Sequence, residues 1–465
     1  MRTGVRSGRR RWRRRETALV GAGALVVALG LGGVSYVGRD RVLEQDLYLD
    51  TMAVSVSVDA SGTVHQELRP VPATTGDDAL LPGSRVLRPA ADASAAEVTA
   101  ADAEATAQRD WLAAGTVPGA GTADEDMARD ALLDLHVMTA DDGAVLAAGS
   151  GPWQYAWPRD GAFAAVAFAR TGHLDDARRV LAFFQRAQER TGDLEARYLP
   201  DGSGSPDGRA RQLDGNGWLL WALGEVVDAA PVAQQAGLLD DFASLRHRSE
   251  DAARAALQTT GRYAGLPRVS PDYWEKKETK PTLGTAAALL AGLRAAERLE
   301  DHAGDTGRSA RAGSSAATLA AAIDREFGPD YGRYPGSDRR DAAVAFLLPP
   351  FAATADPAVV SALGAAADQM ARPAGGLAPG ADWHDDGVSW TPETAAVALG
   401  AASAGDDDLA RRLVDFLATH RTAAGSMSEK VLFDGRPAGT APLVWSEATT
   451  LLVLDALDDE DQLDG

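Results

Sequence analysis

The chain has 465 residues, of which 45% are hydrophobic and 24% are charged, and its formal net charge is −21. This composition is ordinary for a globular protein, and the length allows one large domain with smaller pieces or two to three average domains. The absence of cysteine excludes disulfide bonds, thiolate zinc sites, a cysteine nucleophile and a lipidated cysteine. The fold is therefore expected to hold by packing alone.

Residues 1–40 combine a basic arm with an apolar segment. Residues 1–16 carry eight arginines and one glutamate, which leaves a formal charge of −28 on the rest of the chain. Thr17–Val37 has no charged residue, and a helix of that length spans about 31 Å, the thickness of a bilayer core. The positive-inside rule predicts a single-pass cell-membrane anchor with the remainder of the chain extracytoplasmic.

A cleaved signal peptide is the alternative for this segment, but no good small-x-small cleavage site follows it in Gly33–Asp40. The acidic body would repel phosphates, so nucleic acid is not expected as a partner and the membrane explains the basic arm better.

Residues 41–121 are predicted to form a stalk that consists of a short β region and a linker. Period-two alternation in Met52–Val58 and Thr63–Val71 predicts short strands. Residues 90–121 are dominated by Ala, Asp, Thr and Gly, which is typical of a linker, with room for one helix around Ala95–Ala114.

From residue 122 to residue 460, apolar periodicity predicts one helix after another. The predicted segments lie near 125–138, 160–171, 173–190, 214–229, 233–258, 281–301, 309–326, 340–347, 356–371, 391–403, 407–420 and 444–457. Twelve helices form six hairpins, the number in an (α/α)6 toroid. The sequence has no repeat of fixed period, which argues against a solenoid. The long loops between them are expected to carry function, and residues 461–465 are predicted to form an acidic tail.

Three loop clusters combine aromatic residues with carboxylates. They are Gly151–Asp160 (GPWQYAWPRD), Pro271–Lys277 (PDYWEKK) and Ser426–Lys430 (SMSEK), the last followed by Leu443–Glu447 (LVWSE). Aromatic faces can cover a sugar ring while carboxylates and guanidinium groups bind its hydroxyls. Hydrolysis of a glycosidic bond without a metal requires two carboxyl groups. Glu275 and Glu429 are the natural pair, although sequence spacing alone does not select them from 67 acidic residues.

From about residue 132 to residue 457 the chain resembles glycoside hydrolase family 15, the family of glucoamylases and bacterial trehalases. Residues 138–150 and then Tyr155–Asp160 (YAWPRD) are similar to the family's stretch ending in Trp-x-Arg-Asp, and Gln212–Gly217 (QLDGNG) is similar to its Gln-x-Asp segment. Asp272–Glu275 (DYWE) resembles its Asp-x-Trp-Glu, and Ser428–Glu429 with Trp445–Ser446 resembles its Ser-Glu…Trp-Ser pattern. The resemblance implies an all-α catalytic domain, an (α/α)6 toroid, preceded by the transmembrane helix and the short β-containing stalk.

The resemblance also implies roles for individual residues. Glu275 would protonate the leaving oxygen and Glu429 would activate water on the opposite face, which inverts the anomeric configuration. Arg159 and Asp160 would bind sugar hydroxyls, unless they form only a structural salt bridge at a helix start. The other implied substrate-binding residues are Trp153, Trp157, Gln212, Asp214, Asp272, Trp274 and Trp445. No cofactor is expected, and no metal, because the seven histidines are scattered without a His-x-x-x-His pair.

The implied activity is exo-acting, inverting release of glucose from an α-linked glucoside, namely a malto- or isomalto-oligosaccharide or trehalose. A non-catalytic glycan-binding or scaffold protein on the same fold and a hydrolase of a cell-envelope polysaccharide are the alternatives. Lys276 and Lys277 directly follow Glu275, and a nearby cation would oppose an acid role unless the side chains point away. These lysines could form a solvated loop edge or meet an anionic leaving group.

Overall fold

The computed structural model describes residues 49–464 except Ala73 and Pro206, and it describes no side chains for residues 460–464. The predicted basic arm and the predicted transmembrane helix Thr17–Val37 lie outside this range. Within the range, no helix is both long enough and apolar enough to cross a membrane.

The described part begins with an antiparallel hairpin. Strand β1 (Asp50–Val58) pairs with strand β2 (Val64–Pro72), and Val54 lies opposite Leu68. The alternating sequence therefore forms the two strands that it predicts. Most of β2 is exposed to solvent, whereas the first half of β1 is buried.

Helix α1 (Ala95–Ala113) follows the hairpin and confirms the helix predicted in the linker. It begins at Ser94, whose hydroxyl accepts a hydrogen bond from the Glu97 amide while the Glu97 carboxylate accepts one from the Ser94 amide. Such a reciprocal cap satisfies two backbone donors that the helix itself leaves free. The helix packs Ala101 and Ala105 against the hairpin.

The structure differs from the predicted stalk over residues 41–121, because residues 49–121 fold against the helical domain. Arg85 is buried and its Nε donates to Asp134 at 2.6 Å. The Trp111 ring stacks on His173 with ring centroids 3.9 Å apart. An alanine-rich composition is typical of a linker, but small side chains also permit close packing, and composition alone does not reveal the partner surface.

The helical domain has two concentric layers. The inner elements are α3 (Pro158–Arg170), α5 (Asp214–Ala229), α8 (Leu283–His302), a 3-10 helix (Ala342–Leu347), α11 (Thr391–Ala402) and α13 (Val444–Asp464). The outer helices are α2 (Glu125–Val137), α4 (Leu174–Ala187), α7 (Ala243–Ala256), α9 (Thr306–Phe327), α10 (Pro357–Met370) and α12 (Asp407–Thr419), and a short helix α6 (Val232–Asp241) precedes α7. Each inner element packs on the next and α13 packs on α3, which closes the ring.

The described residues thus form the predicted (α/α)6 toroid, with a 3-10 helix in one inner position. Every residue of inner helix α11 is buried, whereas outer helix α12 buries only one apolar face, as expected for helices enclosed on all sides and on one side. Two glycines set the approach of α5 to α8, since a Cβ on Gly292 would lie 2.5 Å from the Gly217 Cα.

Two predicted boundaries differ from the structure. The segment 233–258 is two helices, α6 and α7, which meet at Phe242. Helix α13 continues to Asp464, so residues 461–464 of the predicted tail are helical. The loop regions also carry a three-stranded antiparallel sheet in the order β3 (Ser389–Trp390), β4 (Lys430–Val431) and β5 (Pro437–Ala438).

Candidate active site

A cavity of about 250 Å³ lies where the loops meet the N-terminal ends of the inner helices. It is lined by Ala147, Pro152, Trp153, Trp157, Arg159, Asp160, Arg197, Arg209, Tyr273, Trp274, Glu275, Pro379, Trp383, Trp390, Pro392, Glu393, Glu429, Leu443 and Trp445. The predicted residues among them are Glu275, Glu429, Trp153, Trp157, Arg159, Asp160, Trp274 and Trp445. The toroid therefore brings both candidate catalytic carboxyl groups to one cavity.

Arg159 and Asp160 lie in the first turn of α3, which begins at Pro158, a residue suited to a first helical position. Both are buried, and Arg159 Nη2 lies 3.0 Å from Asp160 Oδ2. The Arg159 guanidinium lies over the Trp445 ring, 4.1 Å from its centroid. Arg159 Nη1 and Asp160 Oδ1 make no hydrogen bond within the described residues. Because buried polar groups are normally paired, these two atoms are available to form hydrogen bonds with a polar ligand.

Glu275 is held by three donors from other parts of the chain. Trp157 Nε1 donates to its Oε1 at 2.8 Å, and Gln212 Nε2 donates to the same atom at 3.3 Å. Arg209 forms an ion pair with its other oxygen, Oε2. The backbone of Glu275 is left-handed, with a φ of 56°, which is uncommon for a residue other than glycine and is typical of functional loops.

The cation that contacts Glu275 is thus Arg209, and not a lysine as the sequence suggested. Lys276 turns to the other side, where its Nζ lies 4.0 Å from the ring centroid of Trp383 and 5.2 Å from that of Trp274. Arg209 is therefore the charged neighbour of the candidate acid.

Glu429 lies at the start of β4, with its side chain buried in the cavity wall. Its amide donates to Thr440 O at 2.8 Å, and its carbonyl accepts from the Thr391 amide at 3.1 Å. Burial raises the pKa of the Glu429 carboxyl, and Lys430, whose Nζ lies 3.2 Å from Oε2, opposes that rise. Gly439 faces the same oxygen, since a Cβ built on it would lie 2.7 Å from Oε2.

Three predicted residues do not line the cavity. Gln212 contacts it only through Glu275. Asp272 binds Arg333 Nη2 at 2.7 Å and accepts from the Trp274 amide at 3.0 Å, so it supports the loop that carries Trp274 and Glu275. Asp214 is buried at the start of α5, and burial raises its pKa to about 7.

Six aromatic or charged lining residues were not predicted from the sequence: Arg197, Arg209, Tyr273, Trp383, Trp390 and Glu393. Two of them continue an aromatic wall, because Trp383 contacts Trp274 and Trp390 with ring centroids 4.8 Å and 5.0 Å apart. Their loop, 371–390, was identifiable as functional from its length. Glu393 gave no signal, since a glutamate in the first turn of a helix is normally explained by the helix dipole.

Glu393 is a third carboxyl group in the cavity. It is buried, and its Oε2 makes no hydrogen bond within the described residues. Burial raises its pKa to about 8, with Arg159 lowering the value and the Glu429 charge raising it. Glu393 is therefore protonated at neutral pH and can donate a hydrogen bond into the cavity.

We expect Glu393→Gln to change the pH dependence of stability. A carboxyl group whose pKa is about 8 in the folded state and 4.5 in the unfolded state holds its proton longer when folded, so the wild type loses stability as pH rises between these values. Glutamine has no proton to lose, and the variant should be more stable than wild type near pH 8 by on the order of 2–4 kcal/mol. This gain should shrink towards pH 4.5, which urea unfolding at a series of pH values measures.

Glu67→Gln, on exposed strand β2, is the control for this comparison and should leave the pH profile of unfolding unchanged. A difference between wild type and Glu393→Gln that stays constant with pH would show that folding does not raise the pKa of Glu393.

No family model matches the sequence, and no curated protein sequence matches it. Solved structures do match. A wild-type protein described as a glycosidase superposes with a TM-score of 0.61 at 24% identity, over 72% of this chain and 96% of that one. The chain shares its fold with glycosidases.

Two glucoamylases have the same toroid. A bacterial glucoamylase complexed with acarbose matches with a TM-score of 0.61 at 17% identity, over 79% of this chain and 62% of that one. The glucoamylase of Saccharomycopsis fibuligera matches with a TM-score of 0.56 at 13% identity, over 77% and 94%. At such identities the similarity establishes the fold, while the chemistry must be argued from the cavity.

Proposed function

We propose that the protein is an exo-acting, inverting glycoside hydrolase that releases glucose from an α-linked glucoside, such as a malto- or isomalto-oligosaccharide or trehalose. The observation that carries the proposal is the meeting of Glu275 and Glu429 in one cavity with aromatic walls and a buried Arg159–Asp160 pair. The shared fold with glycosidases, two of them glucoamylases, supports it.

The terminal sugar binds in the cavity. Hydroxyl groups pair with the buried atoms that keep binding capacity, Arg159 Nη1 and Asp160 Oδ1, and with the indole N–H of Trp445, which also makes no hydrogen bond within the described residues. Indole faces cover the apolar side of the ring. A small cavity with buried walls accepts a chain end rather than the middle of a chain, which favours exo-action.

The two carboxyl groups have different surroundings that suit different roles. Glu275 has a side chain that is 28% exposed, at the side where a leaving group departs. Its proton passes to the glycosidic oxygen as the bond from that oxygen to the anomeric carbon breaks. Glu429 is 10% exposed, and although burial raises its pKa, the Lys430 ammonium group 3.2 Å from Oε2 opposes that rise and stabilises the ionised form that a base requires. It takes a proton from water as the water oxygen bonds to the opposite face of the anomeric carbon.

A non-catalytic glycan-binding protein is the second candidate, because both carboxylate oxygens of Glu275 already have partners in Arg209, Trp157 and Gln212. That candidate binds sugar without turnover. The anchor at Thr17–Val37 remains a proposal from the sequence. This anchor would place the cavity outside the cell membrane. A protease added to intact cells should then digest the toroid, and protection of the toroid from the protease would contradict the proposed location.

The test of the activity is glucose release by the full-length chain in detergent from maltose, isomaltose, trehalose and panose, with proton NMR on the first product. We expect β-glucose, since inversion at an α-linkage produces that anomer. First release of α-glucose would contradict the inverting mechanism. Binding of these sugars without any release would favour the second candidate.

A further inference from the structure

We propose that the leaving group of the substrate carries an anionic group, a carboxylate or a phosphate, which binds in a lysine groove beside Glu275. The lysine groove is the cavity of about 520 Å³ lined by Asp207, Arg209, Ala210, Gln212, Val269, Ser270, Pro271 and residues 275–278. This inference deepens the proposed function and, for the hydrolytic step, rests on it.

The position of the groove matches that of a leaving group. Glu275 and Arg209 line both the sugar cavity and the lysine groove. A general acid must lie beside the oxygen of the bond that it cleaves. With the sugar ring against Arg159 and Asp160, the part of the substrate beyond that oxygen therefore extends past Glu275 into the groove.

Pairing of the charges leaves the lysines of the groove without carboxylate partners. Glu278 binds Arg333 at 2.7 Å, Asp207 binds Arg197 at 2.6 Å, and Glu275 binds Arg209. In the described part of the chain, neither Lys276 nor Lys277 has a carboxylate within 4.0 Å. Lys276 and Lys277 are therefore the cations of the groove that can bind an external anion, because its three carboxylates pair with arginines.

Lys276 lies between the groove and the sugar cavity, because it lines the groove while its Nζ lies 4.0 Å from the ring centroid of Trp383, which lines the sugar cavity. Burial and the nearby Arg333 charge lower the pKa of Lys276, and the Glu278 charge opposes this effect. An anion bound beside Lys276 would oppose it further.

The distribution of lysine in the whole chain supports the same inference. The sequence has only four lysines against 42 arginines, and three of them, Lys276, Lys277 and Lys280, follow Glu275 while the fourth, Lys430, follows Glu429. The chain as a whole has a formal charge of −21, so it repels anions at a distance. Local ammonium groups are what allow an anionic substrate to bind here.

The experiment compares two substrates of nearly equal shape, 4-carboxyphenyl α-glucoside and 4-carbamoylphenyl α-glucoside, with 4-phosphonophenyl α-glucoside as a third arm. We expect the full-length wild type to hydrolyse the carboxylate, the phosphonate or both with a kcat/KM about tenfold or more above that of the amide. Salt of about 0.5 M should reduce the ratio, since exposed charges are screened. Of the carboxylate and the phosphonate, the substrate with the larger kcat/KM relative to the amide identifies the anion that the groove prefers.

The double variant Lys276→Gln/Lys277→Gln should lower this ratio towards one, because both ammonium groups that line the groove are lost. Lys280→Gln is the matched control. Lys280 lies in the same loop with its Nζ over the Tyr334 ring, and it does not line the groove, so the ratio should persist. Equal kcat/KM for all three glucosides in the wild type would overturn the inference while the proposed function stands.

A binding measurement separates failure of the inference from failure of the function. Calorimetry compares free 4-hydroxybenzoate with 4-hydroxybenzamide, which need no turnover. If no glucoside is hydrolysed, the proposed function fails. Preferential binding of the benzoate that is lost in the double lysine variant would then still support the groove, and equal binding of the two compounds would overturn it.

Discussion

Glu275→Gln is expected to lower kcat on maltose-type glucosides by about a thousandfold and yet to keep most of the activity on α-glucosyl fluoride. Fluoride departs as an anion without a proton, so only the first substrate needs the general acid, whose contribution is typically about 10²–10⁴-fold. Glu429→Gln is expected to lower kcat by about a thousandfold on both substrates, because water must be activated whatever the leaving group is. Initial rates of glucose release measure all four combinations.

Glu189→Gln is the control for these variants. Glu189 is exposed, pairs with Arg211 and does not line the cavity, so its loss should leave both rates unchanged. An equal loss of activity on both substrates in Glu275→Gln would show that Glu275 does not act as a proton donor. Full activity of Glu429→Gln would show that another residue is the base, and Glu393 is the remaining glutamate that lines the cavity.

Gly439→Ala is expected to lower kcat by roughly a hundredfold with little change in KM, because misplacement of a catalytic group by about 1 Å has an effect of that size. Gly439 has a φ of 80°, and an added Cβ would lie 2.7 Å from Glu429 Oε2 and 3.1 Å from its Cβ. The methyl group must therefore displace the Glu429 carboxylate. Steady-state kinetics on the best substrate, with circular dichroism for folding, measure the effect.

Gly435→Ala separates displacement of Glu429 from backbone strain. Gly435 lies between β4 and β5 with a φ of 86°, and its added Cβ would contact only His420, at 3.2 Å. It shares the strain of a left-handed alanine without the contact to Glu429. Equal losses of kcat in the two variants would mean that strain in the loop, and not the position of the carboxylate, limits the rate.

The layers of the toroid were accessible from the sequence because each helix carries its own burial pattern. Outer helix α12 has one apolar face, and inner helix α11 is apolar from Ala395 to its end, with its polar residues confined to the first turn. Such periodicity is a local property that can be recognised in the sequence without knowledge of the fold.

The role of the region before the toroid could not be predicted from the sequence. Arg85 appears in the sequence as one more surface charge, and only its burial against Asp134 shows that residues 49–121 belong to the helical domain.

The predicted site was accessible through motifs, since aromatic residues next to carboxylates stand out in loops. These motifs are far apart in the sequence, and only closure of the helical ring brings them to one cavity. Asp272 illustrates the limit, because its place in a motif predicted contact with substrate. Its ion pair with Arg333 instead makes it a support for the Trp274–Glu275 loop.

The sequence by itself determined the helical class and the two strands, which depend on local periodicity. The candidate pair Glu275 and Glu429 came from the resemblance of their motifs to those of a known family. Only the tertiary structure decided that Arg209 contacts Glu275, that Lys276 turns to Trp383, and that Glu393 shares the cavity with Glu429. The physical reason is that charge state and orientation depend on neighbours that come from distant segments of the chain, and closure of the ring is what makes them neighbours.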